Sequence, residues 1–146
     1  MHVHVIAVGK IKERAVRELL DDYVKRIGRY ATYHELELKD ASHEELEERF
    51  RKAIPPRSQV IALEVLGKGV SSHELAQLVG RAEDTSIMHL VFLIGGAYGL
   101  PPAVSRRADA QISLSKLTLP HRLARLLLVE QLYRAFTILR GEPYSH

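Results

Sequence analysis

The chain has 146 residues, of which 46% are hydrophobic and 27% charged, with a formal net charge of +3 and no cysteine. That length and balance fit one globular domain with a single core. The missing cysteines exclude disulfides and thiolate metal centres. The start "MHVHVIAVGK" has none of the features of a secretory signal, and no apolar run approaches the ~20 residues needed to span a bilayer. A soluble, cytoplasmic protein without membrane attachment is expected.

In chain order, Val3–Val8 is an apolar run that fits a buried strand. Ile11, Ala15, Val16, Leu19, Leu20, Tyr23, Val24 and Ile27 then recur at helical spacing, with Gly28 as a stop. Tyr33–Leu38 alternates like a strand with one wetter face at a sheet edge. Ser42 and Glu45 form a capping-box pattern ahead of a helix with Leu46, Phe50 and Ile54 on its buried stripe, stopped by Pro55-Pro56. "QVIALEV" is a third strand. "LGKGVSSHE" reads as a flexible turn, and Ser71 with Glu74 caps a helix carrying Leu75, Leu78, Val79 and Ala82. Met88–Ile94 is continuously apolar, as at the centre of a parallel sheet covered on both faces. "GGAYGLPP" turns the chain into a short helix from about Pro101 to Arg107. Gln111–Leu114 is the last strand, and a helix from His121 to Arg140 ends at Gly141 and Pro143. Strands alternating with helices predict a three-layer α/β domain around a mostly parallel sheet, spanning residues 1–146.

In such sheets ligands sit beyond the carboxyl ends of the strands. The turn after the first strand has only Gly9, so the G-x-G-x-x-G signature of dinucleotide-binding folds is absent. So are a Walker A sequence, G-x-S-x-G, H-E-x-x-H and the acidic strand end of a phosphoacceptor receiver. The glycines follow the fourth strand instead, at Gly95, Gly96 and Gly99. They permit either a tight turn or close backbone approach to a flat ligand. "LSKLTLPH" is richer in leucine than an exposed loop should be. Buried, its backbone groups need partners, which a purine edge can supply.

The last helix is apolar on nearly every side. Ala124, Leu127, Leu128, Leu132, Ala135, Ile138 and Leu139 make one face. Leu126, Val129, Tyr133 and Phe136, between Arg122 and Arg140, make a second. That describes either an internal helix or, as preferred here, one face on the sheet and the other in a symmetric dimer. Residues 101–146 carry 7 basic and 3 acidic side chains, a surplus that suits a polyanion or simply a solvated helix face. His2 and His4 alternate on one strand, too few ligands for a metal site. His73 and His89 show no evident partner.

"VIAVGK", "ALE", "LIGGAYGL", "SLSKLTLPH", "LVEQLYRAF" and "RGEPY" resemble the ribosomal RNA large subunit methyltransferase H family, small enzymes of the SPOUT class, along essentially the whole chain. The resemblance implies a C-terminal trefoil knot, an exception to the rule that chains do not thread themselves. It implies a homodimer built on the knot region and the C-terminal helix. It implies use of S-adenosylmethionine to methylate N3 of a pseudouridine in large-subunit (23S) ribosomal RNA on assembled ribosomes. The implied cofactor pocket is Leu63, Gly95, Leu114, Ser115, Lys116, Leu117, Thr118 and Leu119.

Methyl transfer to an imide nitrogen needs in-line positioning and removal of the N3 proton. The candidates to flank the target base are Tyr144 and His146 of the tail, with Arg134 and His121. Two of these have plainer readings. His121 can be a helix-start residue bonded to a local carbonyl, and Arg134 an ion pair with Glu130 one turn back. The tail reads Pro143-Tyr144-Ser145-His146, where the family ends in an adjacent Tyr-His pair. A SPOUT methyltransferase for another RNA and a non-catalytic RNA-binding or assembly factor are the alternative functions.

Overall fold

The structure, a computed structural model, describes residues 1–144. His146, one of the tail candidates, lies outside the described residues. Five strands, β1 (His2–Val8), β2 (Thr32–Leu38), β3 (Ser58–Gly69), β4 (His89–Ile94) and β5 (Ala110–Ser113), form one sheet in the order β2-β1-β4-β3-β5. Every neighbouring pair is parallel. Helices α1 (Arg14–Ile27), α3 (Ser72–Asp84) and α5 (His121–Arg140) cover one face, and α2 (His43–Ala53) and α4 (Pro102–Arg107) the other. The alternation of side chains along a strand builds both cores. Val3, Val5 and Ala7 of β1 join Leu90, Phe92, Leu20, Val79 and Leu128 on the first face. Ile6 and Val8 join Val91, Leu93, Leu46, Phe50 and Val104 on the second. The wetter strand β2 is an edge, as its alternation indicates.

Two expectations need correction. The stretch Leu66–Gly69 is not a turn but the continuation of β3, which pairs with β5 through a register shift between Leu63 and Lys68. Gly67 makes this possible: a Cβ there would lie 2.8 Å from the carbonyl carbon of Ile112 and 2.9 Å from that of Gln111, so only glycine lets the two backbones meet. These glycines read as loop punctuation in one dimension and serve strand contact in three.

The second correction concerns α5. Its supposed partner-facing seam is buried within the chain, with Val129 and Phe136 fully covered and Tyr133 nearly so. The helix lies between α1 and α3 with the sheet beneath it. Tyr133 packs at 6.0 Å from the Tyr23 ring, and Phe136 stacks at 5.4 Å on Tyr30. On the other flank a Cβ on Gly80 would come within 2.8 Å of Leu139. The arginines ending the seam pair inside the chain, Arg122 with Glu13 at 3.3 Å and Arg140 with Glu83 at 2.8 Å. A helix central in its layer is covered on three sides, which is why it is apolar almost all round. Its outer line is Leu123, exposed, with Leu126, Leu127, Glu130 and Arg134 half-buried. Gly141 closes it in the left-handed conformation at φ 65°.

At the amino ends of β1, β2 and β4, four histidines gather, a cluster invisible in one strand's spacing. His2 Nδ1 lies 2.8 Å from His34 Nε2, and His4 Nε2 lies 3.0 Å from His89 Nδ1. His89 thus has a partner after all. Burial first, then the neighbouring imidazoles of His34, His89 and His2, push the His4 pKa down to about 4. A base with a depressed folded pKa binds its proton more readily when unfolded. Stability is therefore complete above the unfolded value of about 6.5 and lost progressively as pH falls from there towards 4. Urea unfolding is expected to show a lower midpoint at pH 5 than at pH 7.5, and the His4→Leu variant a flatter dependence. Equal midpoints at the two pH values for the unaltered chain would contradict this.

Candidate functional site: a cavity at the carboxyl ends of the strands

A cavity of about 390 Å³ opens at the carboxyl ends of β4 and β5, beside the middle of β3. One wall is Leu63, Glu64 and Val65 of β3. A second is the glycine turn from Gly95 to Leu100. The third is the segment Ser113–Pro120, and His121 and Ala124 at the start of α5 form the floor. The glycine turn is folded flat on its own strand exit. Gly96 and Gly99 form an isolated antiparallel bridge, with the Gly99 N–H donating to the Gly96 carbonyl at 3.0 Å. Gly99 takes a positive φ of 76°. A Cβ on Gly95 would lie 2.4 Å from the Gly99 carbonyl carbon and the Leu100 nitrogen. Close approach and positive φ both operate here, so the tight-turn and close-approach readings of these glycines describe one object.

Of the eight pocket candidates, the structure places Leu63, Gly95, Leu114, Ser115, Leu117 and Leu119 around the cavity. Lys116 and Thr118 do not line it; both are exposed. The segment is held by side chains: Ser113 Oγ donates to the Ser115 carbonyl at 2.9 Å, and the Leu117 N–H donates to Ser115 Oγ at 2.9 Å. Among the described residues the N–H groups of Lys116, Thr118 and Leu119 make no hydrogen bond. His121 Nδ1, at the floor, is buried without a partner. The ring is therefore not tied to a local carbonyl. Its Cε1 would sit 3.6 Å from a Cβ on Gly9, so the bend after β1 reaches the same site. Glu64 was not singled out from the sequence; the signal was an acidic residue inside the apolar run "QVIALEV".

The other candidates lie elsewhere in the same chain. Arg134 Nη2 donates to Glu130 Oε2 at 2.8 Å, and its guanidinium sits 4.6 Å over the Tyr144 ring. Tyr144 donates its hydroxyl proton to Glu130 Oε2 at 2.8 Å and lies 3.3 Å from the Tyr23 hydroxyl. Burial first, then the bonds to Tyr23 and Glu130, push the Tyr144 pKa well above the ordinary tyrosine value, so its phenolate is disfavoured. Arg134 and His121 are thirteen residues apart on α5, or about 20 Å along the helix axis. One chain does not bring the two groups together.

The basic surplus of the last third is mostly spent internally. Arg125 is 1% exposed. Its Nη1 donates to Glu37 Oε2 at 2.8 Å and to the Gly9 carbonyl at 3.3 Å, and its Nη2 stands 3.2 Å from Glu35 Oε1. Arg17 grips Glu35 with both nitrogens, at 2.8 and 3.0 Å. Burial raises the Glu37 carboxyl, but the Ile11 N–H and the Arg125 guanidinium outweigh it and hold the group below its usual range. This network ties β2, α1 and α5 to the bend beside the cavity. With Arg107, Arg122, Arg134 and Arg140 also paired to carboxylates, only Arg106 and Lys116 of the seven basic side chains lack an acidic partner among the described residues.

A doubly covered parallel sheet with a glycine-turn cavity beyond its carboxyl ends is the architecture in which α/β domains generally place a small-ligand site. The family model described as "Predicted SPOUT methyltransferase" matches residues 1–146. Two solved structures share the fold. A probable methyltransferase from Bordetella pertussis Tohama I is 15% identical with a TM-score of 0.59, over 91% of this chain and 95% of that one. A probable methylase family protein from Haemophilus influenzae Rd KW20 is 11% identical with a TM-score of 0.58, over 99% of this chain and 70% of that one. The chain is a SPOUT methyltransferase family member.

Full-length relatives are more specific. A Sorangium cellulosum protein named ribosomal RNA large subunit methyltransferase H is 48% identical over 146 residues, covering all of both chains. Proteins of the same name from Limosilactobacillus reuteri and Geobacter sulfurreducens are 41% and 40% identical, covering 99% and 100% of both chains. Within the SPOUT class the chain belongs to this ribosomal RNA large subunit methyltransferase H family.

Proposed function

We propose that the protein methylates large-subunit ribosomal RNA with S-adenosylmethionine, at N3 of a pseudouridine, on assembled cytoplasmic ribosomes. The observation that carries this reading is the cavity itself. The unpaired Leu119 N–H, leucine walls and an orphaned His121 nitrogen surround one space at the strand ends, and the unpaired N–H groups of Lys116 and Thr118 belong to the same segment. That donor set suits a purine. The N–H groups can meet its ring edge, Leu117 and Leu119 its faces, Gly95 its close backbone approach, and the Glu64 carboxylate its ribose hydroxyls. Bound there, S-adenosylmethionine supplies an electrophilic methyl group. The trefoil knot belongs to this reading: a segment threaded through neighbouring loops explains leucines where a draped loop would be polar.

The chain's own residues must then position the base and handle the N3 proton. His121, with a free Nδ1 at the cavity floor, is the proton acceptor in this reading. Tyr144 and Arg134 serve as donor and cation towards the base or its anion, since the Tyr144 phenolate is disfavoured. They lie a helix length from His121, so the partner copy supplies them. Two α5 helices packed antiparallel through Leu123, Leu126 and Leu127 would bring the Arg134 end of one to the His121 end of the other. The homodimer is thus a requirement of the chemistry in this reading. His146 adds to the tail's share.

Ribosomes lacking the modification, offered with methyl-labelled cofactor, test the reading. Label in large-subunit RNA, mapping to N3 of one pseudouridine, is expected. Label at another base or in another RNA would replace the substrate, and cofactor binding with no transfer to any RNA would favour the non-catalytic alternative.

A further inference from the structure

Of the eight large apolar side chains exposed among the described residues, two line the cavity opening and two more stand next to lining residues in the chain. Leu66 is 98% exposed, Tyr98 87%, Leu117 74% and Val65 62%. Val65 and Leu117 line the opening, Leu66 follows Val65, and Tyr98 stands between the lining residues Ala97 and Gly99. Tyr98 is the exception among six tyrosines: the other five are buried or half-buried. Its hydroxyl makes no hydrogen bond and its ring no aromatic contact among the described residues, whereas Tyr23, Tyr30, Tyr133 and Tyr144 pack against one another and against arginines.

The turn that carries Tyr98 is closed by the Gly96–Gly99 bridge and backed onto its strand by Gly95, so the ring is presented on a constrained backbone. Little further order has to be gained when it meets a flat partner. An apolar ring has a cost in water, and placing it at the lip of a reaction cavity matches what a base-modifying enzyme needs. A base must leave its stack before a buried methyl donor can reach a ring nitrogen, and the lost stacking has to be regained on the protein. We propose that Tyr98, carried on the turn that walls the cavity, is a stacking platform for a nucleobase of the RNA substrate, with the apolar Leu117 and Val65 at the cavity opening. It is a positioning residue that acts on RNA and not on the cofactor. The proposal rests on the RNA methyltransferase reading above.

The test compares Tyr98→Ala and Tyr98→Phe with the unaltered protein in three measurements: affinity for purified unmodified ribosomes by sedimentation, methyl transfer at limiting ribosome concentration, and S-adenosylmethionine affinity with oligomeric state. Loss of one base stack corresponds to about a tenfold or greater weakening. The alanine variant is expected to lose that much in ribosome affinity and in kcat/KM. Its cofactor affinity and oligomeric state should be unchanged, and phenylalanine should restore both losses. Alanine behaving like the unaltered protein would overturn the proposal. A changed oligomeric state would assign the rim to a second copy, and a parallel loss of cofactor affinity would assign Tyr98 to the cofactor. An unaltered protein that binds ribosomes without transferring methyl would sink the enzymatic reading while the affinity comparison still judges Tyr98. One that does not bind them at all would overturn both.

Discussion

Replacing Arg125 with alanine is expected to lower the free energy of unfolding by about 3–5 kcal/mol, the cost of removing one partner from a buried ion pair. The guanidinium is 1% exposed and lies against Glu37, Glu35 and the Gly9 carbonyl. Without it, Glu37 keeps only the Ile11 N–H at 3.0 Å and a distant Arg17 at 3.7 Å. The side chain also fills space between α1, α5 and β2 that alanine leaves empty. Because the Glu37 carboxyl is held below its usual pKa, its share of stability is present above pH ~4.5 and lost as the solution is acidified through the lower folded value. Urea unfolding measures the difference, and a loss under 1 kcal/mol would show that Arg17 alone satisfies both carboxylates.

The second large effect concerns sharing of the site between copies. Gly95→Val is expected to abolish transfer by driving side-chain atoms into the Gly99–Leu100 backbone. Arg134→Ala combined with Tyr144→Ala is expected to abolish it from the other end of α5 while leaving cofactor binding intact. Co-expressed, the two inactive chains should regain about a quarter of the normal rate: half of randomly paired dimers are mixed, and each mixed dimer has one intact cavity facing one intact tail. Recovery near zero would place cavity and tail in the same chain and overturn the composite arrangement.

The layer order and the glycine turn after β4 were legible in the sequence. Strand and helix periods, the serine N-caps at Ser42 and Ser71 and the apolar run Met88–Ile94 carry the architecture because local pattern and burial agree. The cavity wall was legible through "LIGGAYGL" and "SLSKLTLPH". The turn assigned from Leu66 failed because Gly67 looks like a breaker until β5 is known to press on it. The seam of α5 failed because a sequence shows that a face is apolar but not which neighbour covers it. Here α1 and α3 do, on either flank. Arg125 reads as surface charge until Glu35 and Glu37, about ninety residues earlier, are brought to it. The histidine cluster spans three strands, so only His2 and His4 could be seen together. The separation of Arg134 and Tyr144 from His121 is a matter of helix length, which motif proximity conceals.

In the function proposed above, the cavity between the glycine turn and the segment 113–120 holds S-adenosylmethionine. Calorimetric titration of the purified protein tests it most directly, alongside Gly95→Ala and His121→Ala variants whose melting curves show that they fold. One cofactor bound per chain, with affinity sharply reduced by Gly95→Ala, is the predicted result. No heat of binding, or binding that both folded variants retain unchanged, would contradict it.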